Sequence, residues 1–272
     1  MINKIGPSII KAIYKPKSSS HKGDNGRLLI IGGSEKYHGA PLLAAKTASK
    51  IVDLVYFSST QENNEFIKKM KSKLCEFIAA PRNEIIHITK LADAVLIGPG
   101  LGISQENQNL INRLFKEFPD QKFILDADAL KMIKPNQLNK NCLITPHRLE
   151  FKTLFNLTAN KLNVQNAAKK YLCVIVLKGN VDYLADGRKK GAVDFKINLT
   201  GNAGMTKGGT GDVLAGLIAA LACKNDLFLS ACAGVFINGL AGDILKKRAS
   251  YYYSASDLVQ EIPKTIKRCE DL

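Results

Sequence analysis

Asp212 carries the strongest chemical signature in this sequence. It closes the stretch "GNAGMTKGGTGD", residues 201–212, in which five glycines precede it, and it leads into the apolar "VLAGLIAALACK". Glycine lets a backbone reach positive φ and approach a ligand closely, and a helix N-terminus attracts anions. The amides of Gly208, Gly209, Thr210 and Gly211 can therefore converge on one phosphoryl oxygen as a nest. Asp212 then stands where a hydroxyl approaching that phosphorus would give up its proton. The bland alternative is that Asp212 caps the helix.

Five more polar or glycine-rich clusters follow short apolar runs: "IGGSEKYHGA", "GPGLG", "DADAL", "TPHRLE" and "KGNVD". Within them, His147 suits ligand contact or capping. Glu150 suits orienting a magnesium-bound water or supporting the first turn of a helix. Asp126 and Asp128 can pair for acid–base work, or one can shape a strand-end turn while the other caps a helix. Familiar nucleotide fingerprints are absent, since "GPGLGI" lacks the last glycine of G-x-G-x-x-G and no G-x-x-x-x-G-K-[ST] occurs.

The apolar runs that carry these clusters are "GRLLIIGG", "DLVYFSST", "ADAVLIGPG", "KFILDADA", "NCLITPH" and "LCVIVLKG". Runs that are apolar throughout, rather than alternating, are expected of strands with helices on both faces. Between them lie segments with helical apolar spacing: "GAPLLAAKTASKIV", "ISQENQNLINRLFKEF" and "RLEFKTLFNL". From residue 209 onward the pattern is helical, through "GDVLAGLIAALACK", "LFLSACAGVFINGLAGDILKK" and "SASDLVQEIPKTIKR". The expected fold is α/β, one domain over residues 1–272 with a central, mostly parallel sheet and a leading helix or arm over residues 1–20. Ligands bind at the carboxyl ends of strands in such sheets, and all five clusters fall there.

The chain has 272 residues, 46% hydrophobic and 23% charged, with a formal charge of +15. Its lysines are scattered, and no basic run interleaved with aromatics supports nucleic-acid binding. Six cysteines lie far apart without a C-x-x-C pair, as suits small apolar groups in a reducing interior. The N-terminal stretch lacks a signal-peptide core, and no uncharged apolar run reaches about 18 residues. A cytoplasmic location with no membrane span is therefore expected.

Together "GNAGMTKGGTGDVLAG", "GPGLG", "DADAL", "TPHRLEF", "LKG" and "NGLAGD" resemble the ADP/ATP-dependent NAD(P)H-hydrate dehydratase family of the ribokinase-like superfamily. The resemblance runs from about residue 20 to 268. It implies repair of (6S)-NAD(P)H hydrate: ADP or ATP phosphorylates the ring hydroxyl, phosphate leaves, and NAD(P)H is restored. Asp212 would be the base. Substrate contacts would fall on Ala40, Gly102, His147 and Asp212, with Asn202 available to either ligand. The donor would lie along Lys178, Gly179, Asn180, Val181 and Asp182, with Gly208, Gly209, Thr210 and Gly211 at its phosphates.

Mg2+ is the implied metal, with Glu150 a water-mediated contact. ADP is favoured as donor, a homotetramer is the common assembly of such relatives, and the epimerase often fused ahead of this domain is expected on a separate chain. This chain departs from the family in three places: Arg148 and Leu149 replace a usual Pro-Gly pair, Ala203 a common proline, and Asn238 a frequent histidine. A ribokinase-like small-molecule kinase would use the same Asp212 but accumulate a phosphorylated product. A nucleotide-binding sensor would bind without turnover.

Overall fold

The computed structural model describes residues 4–69, 75–189 and 191–271. Among the described residues nine strands form one sheet: β1 (Arg27–Ile31), β2 (Leu54–Ser58), β3 (Ile78–Ala80), β4 (Ala94–Ile97), β5 (Phe123–Leu125), β6 (Cys142–Ile144), β7 (Val174–Leu177), β8 (Asp182–Asp186) and β9 (Asp194–Asn198). Their spatial order is β3-β2-β1-β4-β5-β6-β7-β8-β9. The first seven pair in parallel, while β8 and β9 pair antiparallel along one edge. The mostly parallel sheet expected from the apolar runs is present. The antiparallel pair was not anticipated, because "DYLAD" and "DFKIN" have charged ends and only two or three buried positions each.

The runs are apolar throughout because neighbouring residues bury on opposite faces. In β1, Leu28 and Ile30 enter one core while Leu29 and Ile31 enter the other. The first face is covered by α1 (Gly39–Ala48), α8 (Thr210–Lys224) and α9 (Leu227–Ala249). The second is covered by α3 (Ile85–Leu91), α4 (Gln105–Glu117), α5 (Ala129–Met132), α6 (Arg148–Phe155) and α7 (Lys161–Tyr171). Outside α8 and α9 a third layer forms from α10 (Ala255–Glu270) and a 3-10 turn at Pro7–Ala12, whose Ile10 is fully buried. A further helix, α2 (Gln61–Lys69), follows β2.

α8 is buried on nearly every side, which explains its almost uniformly apolar sequence. α9 is long and apolar enough to cross a membrane by length and composition, yet 78% of its most apolar window is buried against the rest of the molecule. It is a core helix here. Five of the six cysteines are buried, and burial pushes the thiols of Cys142 and Cys232 up to about 12, so both behave as apolar fillers.

Gly216 sets how closely α1 and α8 approach. A Cβ on it would collide with the backbone of Ala44 in α1. Alanine at an ordinary helical site gains about 1 kcal/mol over glycine, but a backbone clash outweighs that gain. Gly216→Val is expected to lower stability by about 2 kcal/mol or more, read from the urea midpoint, and to displace Asp212 with the helix that carries it.

Candidate active site

The carboxyl ends of the parallel strands meet the N-terminus of α8. Gly209 is the N-cap of α8 at φ +95°, packed against Leu43 and Ala255, where a side chain would collide. Glycine is required there on both grounds. Asp212 therefore lies in the third helical position and does not cap, so the capping alternative falls. The four-amide nest is also smaller than expected. The amide of Thr210 donates to Lys207 O (3.4 Å), and its hydroxyl donates to Met205 O (2.5 Å) and Lys207 O (2.9 Å). Among the described residues the amides of Gly208, Gly209 and Gly211 have no protein partner.

Lys178 faces this helix start. A Cβ on Gly211 would lie 3.8 Å from Lys178 Nζ. The ammonium pairs with Asp126 Oδ1 at 2.7 Å, and Thr145 Oγ1 donates to the same oxygen at 2.7 Å. Burial pulls Lys178 down, but Asp126, Glu150 and Asp212 outweigh it and hold the ammonium above its ordinary value. Asp212 behaves oppositely. Burial first, then the charges of Asp126 and Asp128, push its carboxyl up to about 7, with Lys178 opposing. A base poised near neutrality is what proton abstraction at physiological pH requires.

Asp126 and Asp128 neither pair with each other nor cap. Asp128 sits at the N-cap position of α5 but makes no cap bond; its Oδ2 accepts from Gly102 N (3.0 Å) and its Oδ1 from Lys131 Nζ (2.9 Å). Between the two aspartates Ala127 holds φ +48°, a strained value for a residue with a side chain. Gly98 makes the crowding possible, since a Cβ there would strike the carbonyl of Asp126.

A cleft of about 530 Å3 opens beside Lys178. Its walls include Lys178, Gly179, Asn180 and Asp182 after β7, Thr210 and Gly211 of α8, and His147, Asn202 and Asn238. Of the expected donor-binding residues, Val181, Gly208 and Gly209 do not line it. Asp182 closes the turn by accepting from Gly179 N (3.0 Å) and Asn198 Nδ2 (2.9 Å), and burial raises its carboxyl. Asn238, which the sequence suggested only as a departure, is buried with Oδ1 unpartnered. Ala40 and Gly102 lie apart from this cleft, on the β1–β4 side, where the Gly100 turn packs against Ala40.

His147 does cap. Its Nδ1 accepts from Leu149 N (3.1 Å) and Glu150 N (3.2 Å), while Glu150 Oε2 accepts from His147 N (2.8 Å). With Nδ1 accepting, the ring proton belongs on Nε2, which lies 3.3 Å from Glu150 Oε1. Glu150 Oε2 thus closes the capping box, so the first-turn role is present, while Oε1 faces His147 Nε2. Asn202 is also occupied: Nδ2 donates to Asp243 Oδ1 (3.0 Å), and Oδ1 accepts from Gly204 N (3.0 Å) and Tyr253 OH (2.9 Å). It holds the 201–206 loop while also lining the cleft. Among the described residues no three acidic, histidine or cysteine side chains form a metal cluster. Protein groups alone do not fit Mg2+; an ion carried on phosphates, keeping its waters, suits this edge.

The mostly parallel sheet with its glycine-capped helix start is the fold of the ribokinase-like superfamily. A family model described as NAD(P)H-hydrate dehydratase matches residues 28–264, and the chain belongs to that family. It is 42% identical to the bifunctional NAD(P)H-hydrate repair enzyme Nnr of Methanocaldococcus jannaschii, over 97% of this chain and 52% of the relative. It spans about half the length of the bifunctional relatives it matches. It is 36% identical to the ADP-dependent (S)-NAD(P)H-hydrate dehydratase of Nitrosopumilus maritimus, over 94% of each chain. The structure of the ADP/ATP-dependent NAD(P)H-hydrate dehydratase of Bacillus subtilis, co-crystallized with ATP/Mg2+, superposes with a TM-score of 0.82 at 25% identity, covering 98% of this chain and 99% of that one.

Because Asp126 raises the Asp212 carboxyl, Asp126→Asn is expected to move the Asp212 titration below pH 7. Carbon-13 NMR of the Asp212 carboxyl checks this; an unchanged midpoint would mean that burial alone sets it.

Proposed function

We propose that this chain catalyses nucleotide-dependent dehydration of (6S)-NAD(P)H hydrate back to NAD(P)H. The observation that carries the reading is the start of α8, where Gly211, its amide unpartnered, and Lys178 line a nucleotide-sized cleft and the next residue, Asp212, carries a carboxyl raised to about 7. The donor lies along Lys178–Asp182 with its transferring phosphoryl group against the Gly211 amide and the Lys178 ammonium. Those groups stabilise the negative charge that spreads over the phosphoryl oxygens in the transition state. Asp212 takes the proton of the ring hydroxyl as its oxygen bonds to phosphorus and the bond to the leaving nucleotide breaks. The ring nitrogen's electron pair then expels phosphate, and loss of a ring proton restores the dihydropyridine.

Family membership and the dehydratase names of the relatives support this reading over a kinase that releases its phosphorylated product. ADP is the favoured donor, in keeping with the name of the Nitrosopumilus relative. Mg2+ would arrive on the nucleotide phosphates and neutralise their charge. Further parts of the proposal are action of residues 1–272 as a single dehydratase domain, a cytoplasmic location, a homotetramer, and an epimerase partner on a separate chain.

The test follows NADH absorbance after mixing protein with the S-epimer of NADH hydrate, Mg2+ and either ADP or ATP. Recovery is expected, faster with ADP, and a loss of about 100-fold or more in Asp212→Asn. A stable phosphorylated product without NADH recovery would favour the kinase. The sign of the pH dependence follows from the raised carboxyl. Asp212 accepts a proton only when ionised, so kcat/KM falls as pH drops through about 7 and levels above it. Stability runs the other way. Ionising Asp212 costs the folded state as pH rises from 3.8 to about 7, so Asp212→Asn should unfold at a higher temperature than the parent at pH 8.

A further inference from the structure

Two open spaces lie on the same sheet edge over β1–β4, the half away from the donor cleft. The first, about 580 Å3, begins at Gly102 and is bounded by Ser34 and Lys36 after β1, Gln61 after β2 and Arg82 after β3. The second, about 480 Å3, adjoins it, sharing Gln61 and Arg82, and is lined also by Asn64. Arg82 is held by two bonds: Nε donates to Ser59 O (3.2 Å) and Nη1 to Asn107 Oδ1 (2.7 Å). They fix the guanidinium plane and leave Nη2 without a partner among the described residues. Among the described residues no carboxylate lies within ion-pair distance of Arg82; the Glu106 charge acts on it from farther off, and an anion in direct contact with Nη2 gains more.

Asn64 supplies the second observation. Its Nδ2 donates to Ser59 O (3.4 Å) and Ala80 O (3.2 Å), which settles which end of the amide is which. Its Oδ1 is then buried without a donor. A buried acceptor left open beside a cavity fits a ligand hydroxyl or amine. Glu35 and Glu106 also line the first space, so phosphate is favoured at the Arg82 edge and not throughout.

The layout of the edge joins these features to the reaction. The donor cleft sits over β6–β9, Asp126 and Asp128 follow the central β5, and Gly102 opens the spaces over β1–β4. Phosphoryl transfer needs acceptor and donor in line across the reacting phosphorus. An acceptor approaching Asp212 opposite the donor therefore trails over β1–β4. Resting on the dehydratase reading, we propose that these two spaces hold the ADP-ribosyl half of the hydrated dinucleotide, with Arg82 binding one of its phosphates and Asn64 accepting from a ribose hydroxyl or base amine.

The test compares wild type with Arg82→Gln, which keeps a donor for Ser59 O. KM is measured for NADH hydrate and NADPH hydrate, and Kd for NADPH from its own fluorescence. An increase of about tenfold or more is expected in KM and Kd with kcat little changed. An equal rise for both hydrates assigns the pyrophosphate, and a rise for NADPH hydrate alone assigns the 2′-phosphate. Unchanged KM and Kd would overturn the proposal while leaving the dehydratase reading intact. Loss of NADPH affinity in a protein without turnover would do the reverse. Should the variant fail to fold, ADP-ribose is added to wild type. It should compete with the hydrate and not with the phosphoryl donor; competition with the donor alone would overturn the proposal.

Discussion

The Asp126–Lys178 ion pair governs the whole reactive edge. At 2.7 Å, and with the aspartate almost completely buried, it places one ammonium among the carboxylates of Asp126, Asp212 and Glu150. A buried pair of this kind adds little net stability over apolar packing, but losing one partner leaves an uncompensated charge costing about 3–5 kcal/mol. Its use here is electrostatic. Asp126 neutralises most of what Lys178 could offer Asp212, so the third carboxyl stays raised near 7 while Lys178 remains charged for an anion. Without the pair, Asp212 would be either an ordinary ionised surface acid or a buried neutral one.

Holding that balance demands rigidity from elements far apart in sequence. Asp212 rides on α8, a helix buried on nearly every side and locked against α1 through Gly216. Lys178 leaves β7, and Asp126 leaves β5, with Ala127 strained between the two aspartates. His147 and Glu150 cap α6 reciprocally, and Asn202 ties its loop to Asp243 and Tyr253. Polar side chains at this edge divide into those spent on holding the backbone and those left facing open space. The first group includes several residues whose chemistry suggested ligand contact.

That division explains which parts of the site were legible beforehand. Asp212 stood out because glycines crowd before it for a steric reason, the left-handed cap at Gly209. Lys178 was marked by its place at the end of an apolar run, but its partner Asp126 lies 52 residues away and no local pattern links them. Glu150 and Asn202 carry the right chemistry for ligands, and they also hold neighbouring backbone and side chains whose identity depends on loop geometry. Arg82 and Asn64 gave no signal at all, since "APRNE" and "QENNE" are ordinary polar segments until β2, β3 and α4 bring them to one cavity.

The fold divides along the same line. Strands β1, β2 and β4–β7 are written in the chain as short apolar runs, because helices cover both faces of a parallel sheet and no solvent-facing alternation survives. β3, β8 and β9 escape such reading, since the edge strands β3 and β9 bury few residues, β8 has charged ends, and their pairing is settled by neighbours. Local residue types thus settle the layered α/β class, the glycine-capped helix and the carboxylate it presents, all short-range consequences of sterics and hydrophobic pattern. The balance of charges around Asp212, the spent or open state of each polar group, and the two spaces flanking Arg82 arise only on folding, because each depends on groups brought together across the sheet edge.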